Sequence, residues 1–293
     1  MGRLAFQFEQ VSKRISQALK EGADTIGARL LDTRERIGVA TQDLANVDGA
    51  VRISWRDNDI DLHGTDRSGN SVRFNARQVR SIPLRTSDGE VIGVSFPSKA
   101  DDAEELRQWA RMPTRNAAIK YQDVEKIPTD DGDGVKHMWA FGPYVATPWA
   151  DRDTIYAHAH GTATSYDVKV TIRTPFRRRS TIVSLDGTEY GKLLEANRYF
   201  TRAAGATKDK DLVLISCNAG SPDGSALEGT AAHLHESGAL TGSVHGFINE
   251  VIWPSNPVTG EANLGAAQVT GASGAPTSPI ATVPPPTTGS DPP

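Results

Sequence analysis

Two short apolar stretches of this sequence end in side chains that could act together as a nucleophile and a base. Residues 212–217 have the sequence LVLISC, which contains the only cysteine of the 293 residues. Residues 154–161 have the sequence TIYAHAHG, so a second apolar run ends in His160 and Gly161. Continuous apolar runs of this kind are typical of buried strands in a parallel sheet. A cysteine and a histidine at two strand ends are candidates for covalent catalysis.

The elements between and after these runs favour a mostly parallel sheet. A hairpin and a helix separate His160 from Cys217, and strands that alternate with helices are typical of βαβ units. Ligands bind outside the carboxyl ends of strands in such sheets, and a right-handed crossover can make two strands neighbours. We therefore expect His160 and Cys217 to lie close together. The predicted elements are strands at 154–160, 166–173, 181–183, 212–216 and 243–253, and helices at 189–204 and 225–236.

Nucleophilic attack by Cys217 would need a base and an oxyanion site. A thiol with the ordinary pKa of about 8.5 is only a few per cent thiolate at neutral pH, and a nearby imidazole can take its proton. The backbone N–H groups of Gly161 and Cys217 could stabilise an oxyanion. Gly161 has no Cβ to block the substrate. The alternative is structural, because free cysteines are often buried core residues and a histidine can simply end a strand.

A metal site is a less favoured alternative. His158 and His160 are predicted on one face of a strand, and His-x-His is a spacing that metal sites use. Further ligands would be needed, and the sequence places none of the candidates in space. These candidates are His137, Asp151, Asp153, His233 and His235.

Composition excludes several classes of protein. The formal net charge is −4 and the pI is near 6.0, so no general attraction to nucleic acid is expected. One cysteine allows no internal disulfide and no multi-cysteine zinc site. We expect no membrane span, because no long apolar run is present. The N-terminus lacks the apolar core of a signal peptide, so the expected location is the cytoplasm or export as part of a larger system.

The sequence predicts four segments. Residues 1–48 are expected to be helical, because apolar residues recur there at helical spacing. In residues 49–127, apolar and polar residues alternate and turn residues occur between the runs, which indicates a β-rich extension. A short helix capped by acidic residues is expected at its end. Residues 128–265 carry the α/β core. Residues 266–293 are rich in Pro, Gly, Ser and Thr, which is typical of a linker or disordered tail.

The two motifs together resemble the caspase-like cysteine peptidases. In that family an apolar strand ends in His-Gly and a later apolar strand ends in Ser-Cys-x-x-Gly, as in residues 155–161 and 212–220 here. Residues 82–84 and 92–96 with Trp109 are similar to the "lonely Cys" domain of large actinobacterial toxin-type proteins. The resemblance covers roughly residues 80–255. It implies a three-layer α/β sandwich with a mostly parallel central sheet, to which the helical N-terminus and β-rich extension are added.

The resemblance also implies roles for individual residues. His160 and Cys217 would form the catalytic dyad, and the backbones of Gly161 and Cys217 would form the oxyanion hole. Tentative substrate contacts are His158, Asn218, Asn249, Glu250, Trp253 and Arg177. Glu250 would favour a basic residue before the scissile bond, whereas the basic run at 177–179 would favour an acidic one, and the sequence does not decide between them.

The expected function is that of a cysteine endopeptidase without a cofactor. Its substrate would be a polypeptide, either its own chain or a linked toxin module, with no role for nucleic acid. One alternative is a catalytically silent interaction module that keeps the caspase-like fold. Another is a metal-dependent hydrolase that uses His158 and His160.

Overall fold

The computed structural model describes residues 60–99, 102–113, 115, 118–125, 138–173, 178–252, 264–267, 269–270 and 276–286. All of these belong to one compact unit, Asn58–Pro293. The predicted helical segment 1–48 lies outside the described residues, as do Arg177 and Trp253 among the predicted site residues.

Strands dominate the described part of the chain. The strands are β1 Asp61–Asp66, β2 Ser71–Asn75, β3 Ile82–Arg85, β4 Val91–Ser95, β5 Ala118–Glu125, β6 Met138–Ala146, β7 Thr154–His158, β8 His160–Gly161, β9 Tyr166–Arg173, β10 Arg178–Leu185, β11 Asp211–Ile215, β12 Val244–Phe247, β13 Val251–Ile252, β14 Gly265–Ala267, β15 Val269–Thr270, β16 Pro276–Thr277 and β17 Ile280–Val283. The helices are the 3₁₀ helix Ala76–Gln78 and α1 Asp102–Ala110, α2 Gly187–Ala196, α3 Arg198–Ala204 and α4 Ala226–Glu236. No helix among the described residues has the length and apolar character needed to cross a membrane.

The central sheet has six strands in the order β17-β12-β11-β7-β4-β3. Its four inner strands, β12, β11, β7 and β4, are parallel, while β17 and β3 pair antiparallel at the two edges. The fold is therefore mixed α/β with a mixed sheet. The expectation that the strands carrying LVLI and TIYAH are parallel neighbours is confirmed, since Asp211–Ile215 pairs residue by residue with Thr154–His158.

Both faces of this sheet are covered by apolar packing. Leu212 and Leu214 of β11 lie in one buried cluster with residues of α2, α3 and α4. Val213 and Ile215, which point to the opposite face, lie in a second cluster with residues of α1, β5 and β14. Because successive side chains of a strand alternate between faces, a strand buried on both sides has a continuous apolar sequence. That is the physical reason for the apolar run before the cysteine.

The remaining strands form three further sheets. A five-stranded antiparallel sheet has the order β2-β1-β10-β9-β8, a four-stranded sheet has the order β13-β14-β5-β6, and β15 pairs with β16. The predicted single strand Thr154–His160 is thus wrong. The chain leaves the central sheet after His158 and joins the five-stranded sheet at His160.

The predicted helix 189–204 is two helices that meet at Asn197. The side chain of Asn197 accepts a hydrogen bond from the backbone N–H of Tyr199 at 2.9 Å and therefore caps α3. An Asn side chain competes with the helical backbone for hydrogen bonds, which explains the break. Helix α4 begins after Ser225, as predicted, and ends at Glu236.

The predicted segment boundaries need two corrections. Strands β3 and β4 belong to the central sheet, so the extension 49–127 contributes to the core rather than preceding it. Residues 280–283 form the edge strand β17, which pairs with β12, so the expectation of a linker or disordered tail from residue 266 does not hold there. Prolines argue against a strand when only the sequence is known, so this Pro-rich segment does not predict one. The structure accommodates them because β17 lies at the edge of the sheet.

Candidate functional site

Three parallel strands end together at one edge of the central sheet. Ser95 of β4 pairs with His158 of β7, and His158 pairs with Ile215 of β11. His160 lies two residues after His158, and Cys217 lies two residues after its partner Ile215. The strand topology therefore brings the two predicted dyad residues to the same sheet edge, where ligands bind in open α/β sheets.

The segments that carry His160 and Cys217 are in close contact through their backbones. A Cβ built on Gly161 would lie 3.2 Å from the carbonyl oxygen of Cys217 and 3.2 Å from Cβ of Ser216. It would also lie 3.3 Å from the carbonyl oxygen of Ser165. These distances are tight for a Cβ atom, so glycine suits position 161 because of the approach of the Cys217 segment.

Helix α4 links the histidine hairpin to the cysteine loop. Residues 162–165 form the turn between β8 and β9, and Ala163 at its tip accepts hydrogen bonds from the N–H groups of Ser225 and Ala226 at 2.9 and 3.1 Å. The N–H of Leu227 in turn donates to the carbonyl of Ala219 at 3.1 Å. The first turn of α4 therefore fixes both segments.

The thiol of Cys217 is partly buried and bonded to one backbone unit. Its Sγ accepts a hydrogen bond from Val251 N–H at 3.4 Å and lies 3.7 Å from the Val251 carbonyl oxygen, to which the thiol can donate. Within the described residues, Sγ makes no hydrogen bond with His160. Burial raises the pKa of the thiol, and the charge of Glu250 raises it further, while the Val251 N–H and the charge of Lys99 act against the rise.

The loop after Cys217 has a defined geometry. Asn218 has a φ of 58°, in the left-handed region that asparagine adopts more readily than most residues. Its N–H donates to the carbonyl of Asn249 at 3.0 Å, and Gly220 N–H donates to the carbonyl of Phe247 at 2.8 Å. These bonds hold the loop against the segment that connects β12 to β13.

His160 is held by a carboxylate that the sequence analysis did not assign to the site. Its Nε2 lies 3.1 Å from both carboxylate oxygens of Asp102, the first residue of α1. Burial alone would raise the pKa of Asp102. The hydrogen bond with His160, the Lys99 N–H and the charge of the imidazole outweigh burial and hold that pKa well below its usual range.

His158 is a structural residue, which corrects its tentative assignment as a substrate contact. Its side chain lies inside the protein with only 4% of the residue exposed, and Nδ1 lies 2.9 Å from Ser95 Oγ. Burial lowers the pKa of His158 to about 3, and repulsion from His160 adds to this shift. A neutral imidazole enclosed between β4 and β11 cannot reach a substrate.

The geometry also bears on the metal alternative. His158 and His160 lie on different strands of different sheets, not on one strand face. Within the described ranges, no group of three or more His, Cys, Asp and Glu side chains is placed to hold a metal ion. The His-x-His spacing is accounted for by a core imidazole followed by one that faces Asp102.

The other tentative substrate contacts divide into two groups. Asn218, Asn249 and Glu250 lie on the two segments that meet beside Cys217, and Glu250 is exposed. Arg177 and Trp253 lie outside the described residues. The structure therefore brings three of the predicted contacts to the cysteine and excludes His158.

Asp102 and Lys99 lie at the candidate site, and sequence reasoning did not place them there. Both follow strand β4, whose carboxyl end aligns with that of β7. The acidic start of α1 is explained locally as a helix cap, and no local pattern connects it with His160. The available signal was the strand before it, because every loop that follows a parallel strand reaches the same edge of the sheet.

No protein-family model, curated protein or solved structure matches this chain. The resemblance to caspase-like peptidases rests on the motifs around His160 and Cys217.

Proposed function

We propose that this chain is a caspase-like cysteine endopeptidase in which Cys217 is the nucleophile and His160 the general base. The observation that carries the proposal is the alignment of β7 with β11. It places the ends of both motifs at one sheet edge, and the backbones of Gly161 and Cys217 meet there. A cysteine that served only to fill the core would not require a neighbouring strand that ends in a partly exposed histidine bonded to a carboxylate.

The reaction would proceed through a thioester. His160 takes the proton of the Cys217 thiol as sulfur attacks the peptide carbonyl carbon, and a C–S bond forms. The tetrahedral intermediate collapses with cleavage of the C–N bond, and His160 gives its proton to the leaving amine. Water then attacks the thioester while His160 accepts one water proton. The C–S bond breaks, the acid product leaves, and the proton returns to the thiolate.

The free protein is suited to general-base catalysis rather than to a permanent thiolate. The pKa of Cys217 is raised by burial, so the resting thiol keeps its proton. Catalytic hydrogen bonds often tighten only when substrate is bound. A peptide that displaces the contact with the Val251 carbonyl would free the thiol to donate to His160.

The proposal is tested with peptidyl acyloxymethyl ketones, which react with activated cysteines. The 293-residue protein is incubated with reagents that carry Asp, Asn, Arg, Lys or Leu next to the reactive group, and the site and rate of labelling are measured by mass spectrometry. We expect at least one reagent to label Cys217. A preference for Arg or Lys would support a role for Glu250, and a preference for Asp would support one for the basic run at 177–179.

Two variants make the test specific. His160→Gln keeps the thiol but removes the base, and it should slow labelling by about 10²- to 10⁴-fold, the usual contribution of general acid–base catalysis. His63→Gln changes an exposed histidine of β1 and should label at the wild-type rate. A folded protein that none of the reagents labels would refute the peptidase and support the silent interaction module.

A further inference from the structure

The contact between Asp102 and His160 joins two regions that are far apart in the sequence. Both carboxylate oxygens of Asp102 lie 3.1 Å from Nε2 of His160. The Asp102 side chain is 10% exposed and that of His160 is 32% exposed. A carboxylate at this distance accepts the Nε2 proton, and a weakly solvated environment strengthens the hydrogen bond.

The position of Asp102 is itself fixed from two sides. Its Oδ2 accepts hydrogen bonds from the N–H of Lys99 at 2.8 Å and from the N–H of Ser98 at 3.2 Å. Helix α1, which Asp102 begins, is anchored by the buried side chains of Leu106 and Trp109. The carboxylate is thus held in place before any substrate binds.

The low pKa of Asp102 keeps the carboxylate ionised, so at neutral pH it can only accept hydrogen bonds. The imidazole must then carry a proton on Nε2, and in its neutral form Nδ1 is left with a free lone pair. No described residue makes a hydrogen bond with Nδ1. This nitrogen is therefore the one available to take a proton from a thiol.

We propose that Asp102 is a positioning residue that fixes His160 in the tautomer whose Nδ1 is the base for Cys217. The proposal rests on the proposed function, which it extends from a dyad to an oriented dyad. Asp102 touches neither the thiol nor the substrate in this scheme. It acts by setting the orientation of the ring and by stabilising the imidazolium that forms when Nδ1 takes the proton.

The alternative is that Asp102 serves only to order the loop before α1. Asp102→Asn separates the two roles, because the amide oxygen can still accept from the Lys99 and Ser98 N–H groups. The amide NH₂ would then face Nε2 and donate to it, which forces the imidazole proton onto Nδ1. The loop is preserved, and the base is blocked.

The experiment compares Asp102→Asn with the wild-type protein and with Glu104→Gln. Glu104 lies on the same turn of α1 with an exposed side chain that pairs with Arg107, so its substitution removes the same charge without contact to His160. Labelling of Cys217 by the best peptidyl ketone is measured between pH 5 and 9. The titratable groups around the dyad are Asp102, His158, Lys99 and Glu250, and these remain in the control.

We expect Asp102→Asn to label about 10²- to 10⁴-fold more slowly than wild type at pH 7, with a changed pH profile, while Glu104→Gln retains both rate and profile. Equal unfolding midpoints in urea would show that the loop is intact. An Asp102→Asn protein with the wild-type rate and pH profile would overturn the proposal.

A second readout is independent of activity. The ¹⁵N chemical shifts of the neutral His160 ring should place its proton on Nε2 in the wild-type protein and on Nδ1 in Asp102→Asn. A wild-type proton on Nδ1 would overturn the role of Asp102 even if the protein is a peptidase. An Nε2 proton in a protein that no ketone labels would instead count against the proposed function.

Discussion

The imidazole rings of His158 and His160 meet edge to face with their centroids 5.7 Å apart, although their environments are opposite. His158 is enclosed in the core and bonded to Ser95, whereas His160 reaches solvent and faces Asp102. One residue of chain, Ala159, separates a histidine of the central sheet from a histidine of the neighbouring sheet. This switch between sheets is the reason that one ring is buried and the other reaches solvent.

Acid should destabilise the fold through His158. Its pKa of about 3 in the folded protein lies below the value of about 6.5 expected for an unfolded chain. At pH values between these two pKa values, His158 binds a proton in the unfolded state but not in the folded state. The free energy of unfolding therefore decreases as pH falls. The expected loss is about 1.4 kcal/mol per pH unit below pH 6.5. Urea unfolding at several pH values between 7.5 and 5 measures this slope.

The slope can be assigned to His158 by substitution. His158→Gln keeps a neutral hydrogen-bonding side chain next to Ser95 and should reduce the slope. Part of the slope should remain, because burial also lowers the pKa of His245. The exposed His63 provides the control, and His63→Gln should keep the full slope. Equal slopes for His158→Gln and wild type would contradict the assignment.

The single thiol should react slowly with simple alkylating reagents at neutral pH. Burial raises the pKa of Cys217, so the thiolate fraction at pH 7 should be lower than in an unfolded peptide. We expect the rate of iodoacetamide alkylation to increase with pH up to and beyond about pH 9. Intact mass measures the rate without ambiguity, because the chain has one cysteine.

Two charges beside the thiol should change its reactivity in opposite directions. Glu250→Gln removes a charge that raises the pKa of Cys217 and should speed alkylation, whereas Lys99→Gln should slow it. Both side chains are exposed, so the change should be at most about fivefold and should shrink at high salt. Glu236→Gln, at the end of α4, is the control. Changes of the same sign for Glu250 and Lys99 would disprove this electrostatic account.

The parallel core could be predicted from the sequence because its strands are buried on both faces. Leu212–Ile215 is continuously apolar for that reason, and so is most of Thr154–His158, which made the neighbouring pair and the shared sheet edge predictable. The switch of sheets at Ala159 was not predictable. A strand that continues and a strand that crosses into another sheet show the same alternation of residues between the two faces. The sequence therefore could not show that His158 is buried.

Contacts between distant segments were also beyond the sequence. Asp102 approaches His160 because β4 and β7 are neighbours, and no local sequence pattern indicates that these two strands pair. Strand β17 has only four residues and lies between prolines, so its β-branched residues are too few to predict a strand, and the pairing with β12 is not visible in the sequence. Both features are tertiary, and each became visible once the strand order was known.

Strand β17 should be required for stability. It buries Ile280, its Thr282 Oγ1 lies 2.9 Å from Nδ1 of His245, and Pro279 accepts a hydrogen bond from Ile248 N–H at 2.9 Å. A chain that ends at residue 275 loses these contacts and exposes the edge of β12. We expect a loss of at least about 2 kcal/mol in the free energy of unfolding, from the apolar burial of Ile280 alone.

The matched control for this truncation is a chain that ends at residue 286, which keeps every described residue. Its urea unfolding midpoint should equal that of the wild-type protein. The shorter chain should also aggregate more readily, because an uncovered edge strand is a template for pairing with another chain. Equal midpoints for the two truncations would mean that β17 does not contribute to the sheet in solution.

Gly93 should tolerate no side chain, because a Cβ at this position would lie 1.9 Å from the backbone carbonyl oxygen of Tyr156. The carbonyl cannot rotate away without separating β4 from β7, which would also move Ser95 from His158. We expect Gly93→Ala to cost more than about 3 kcal/mol, above the usual range for overpacking. Gly246→Ala is the comparison, since its Cβ would lie 3.1 Å from the flexible end of Leu227 and 3.2 Å from the backbone nitrogen of Gly220, contacts that are much less severe, and it should cost less. Urea unfolding followed by circular dichroism measures both, and a Gly93→Ala midpoint as high as that of Gly246→Ala would disprove the close approach of β4 to β7.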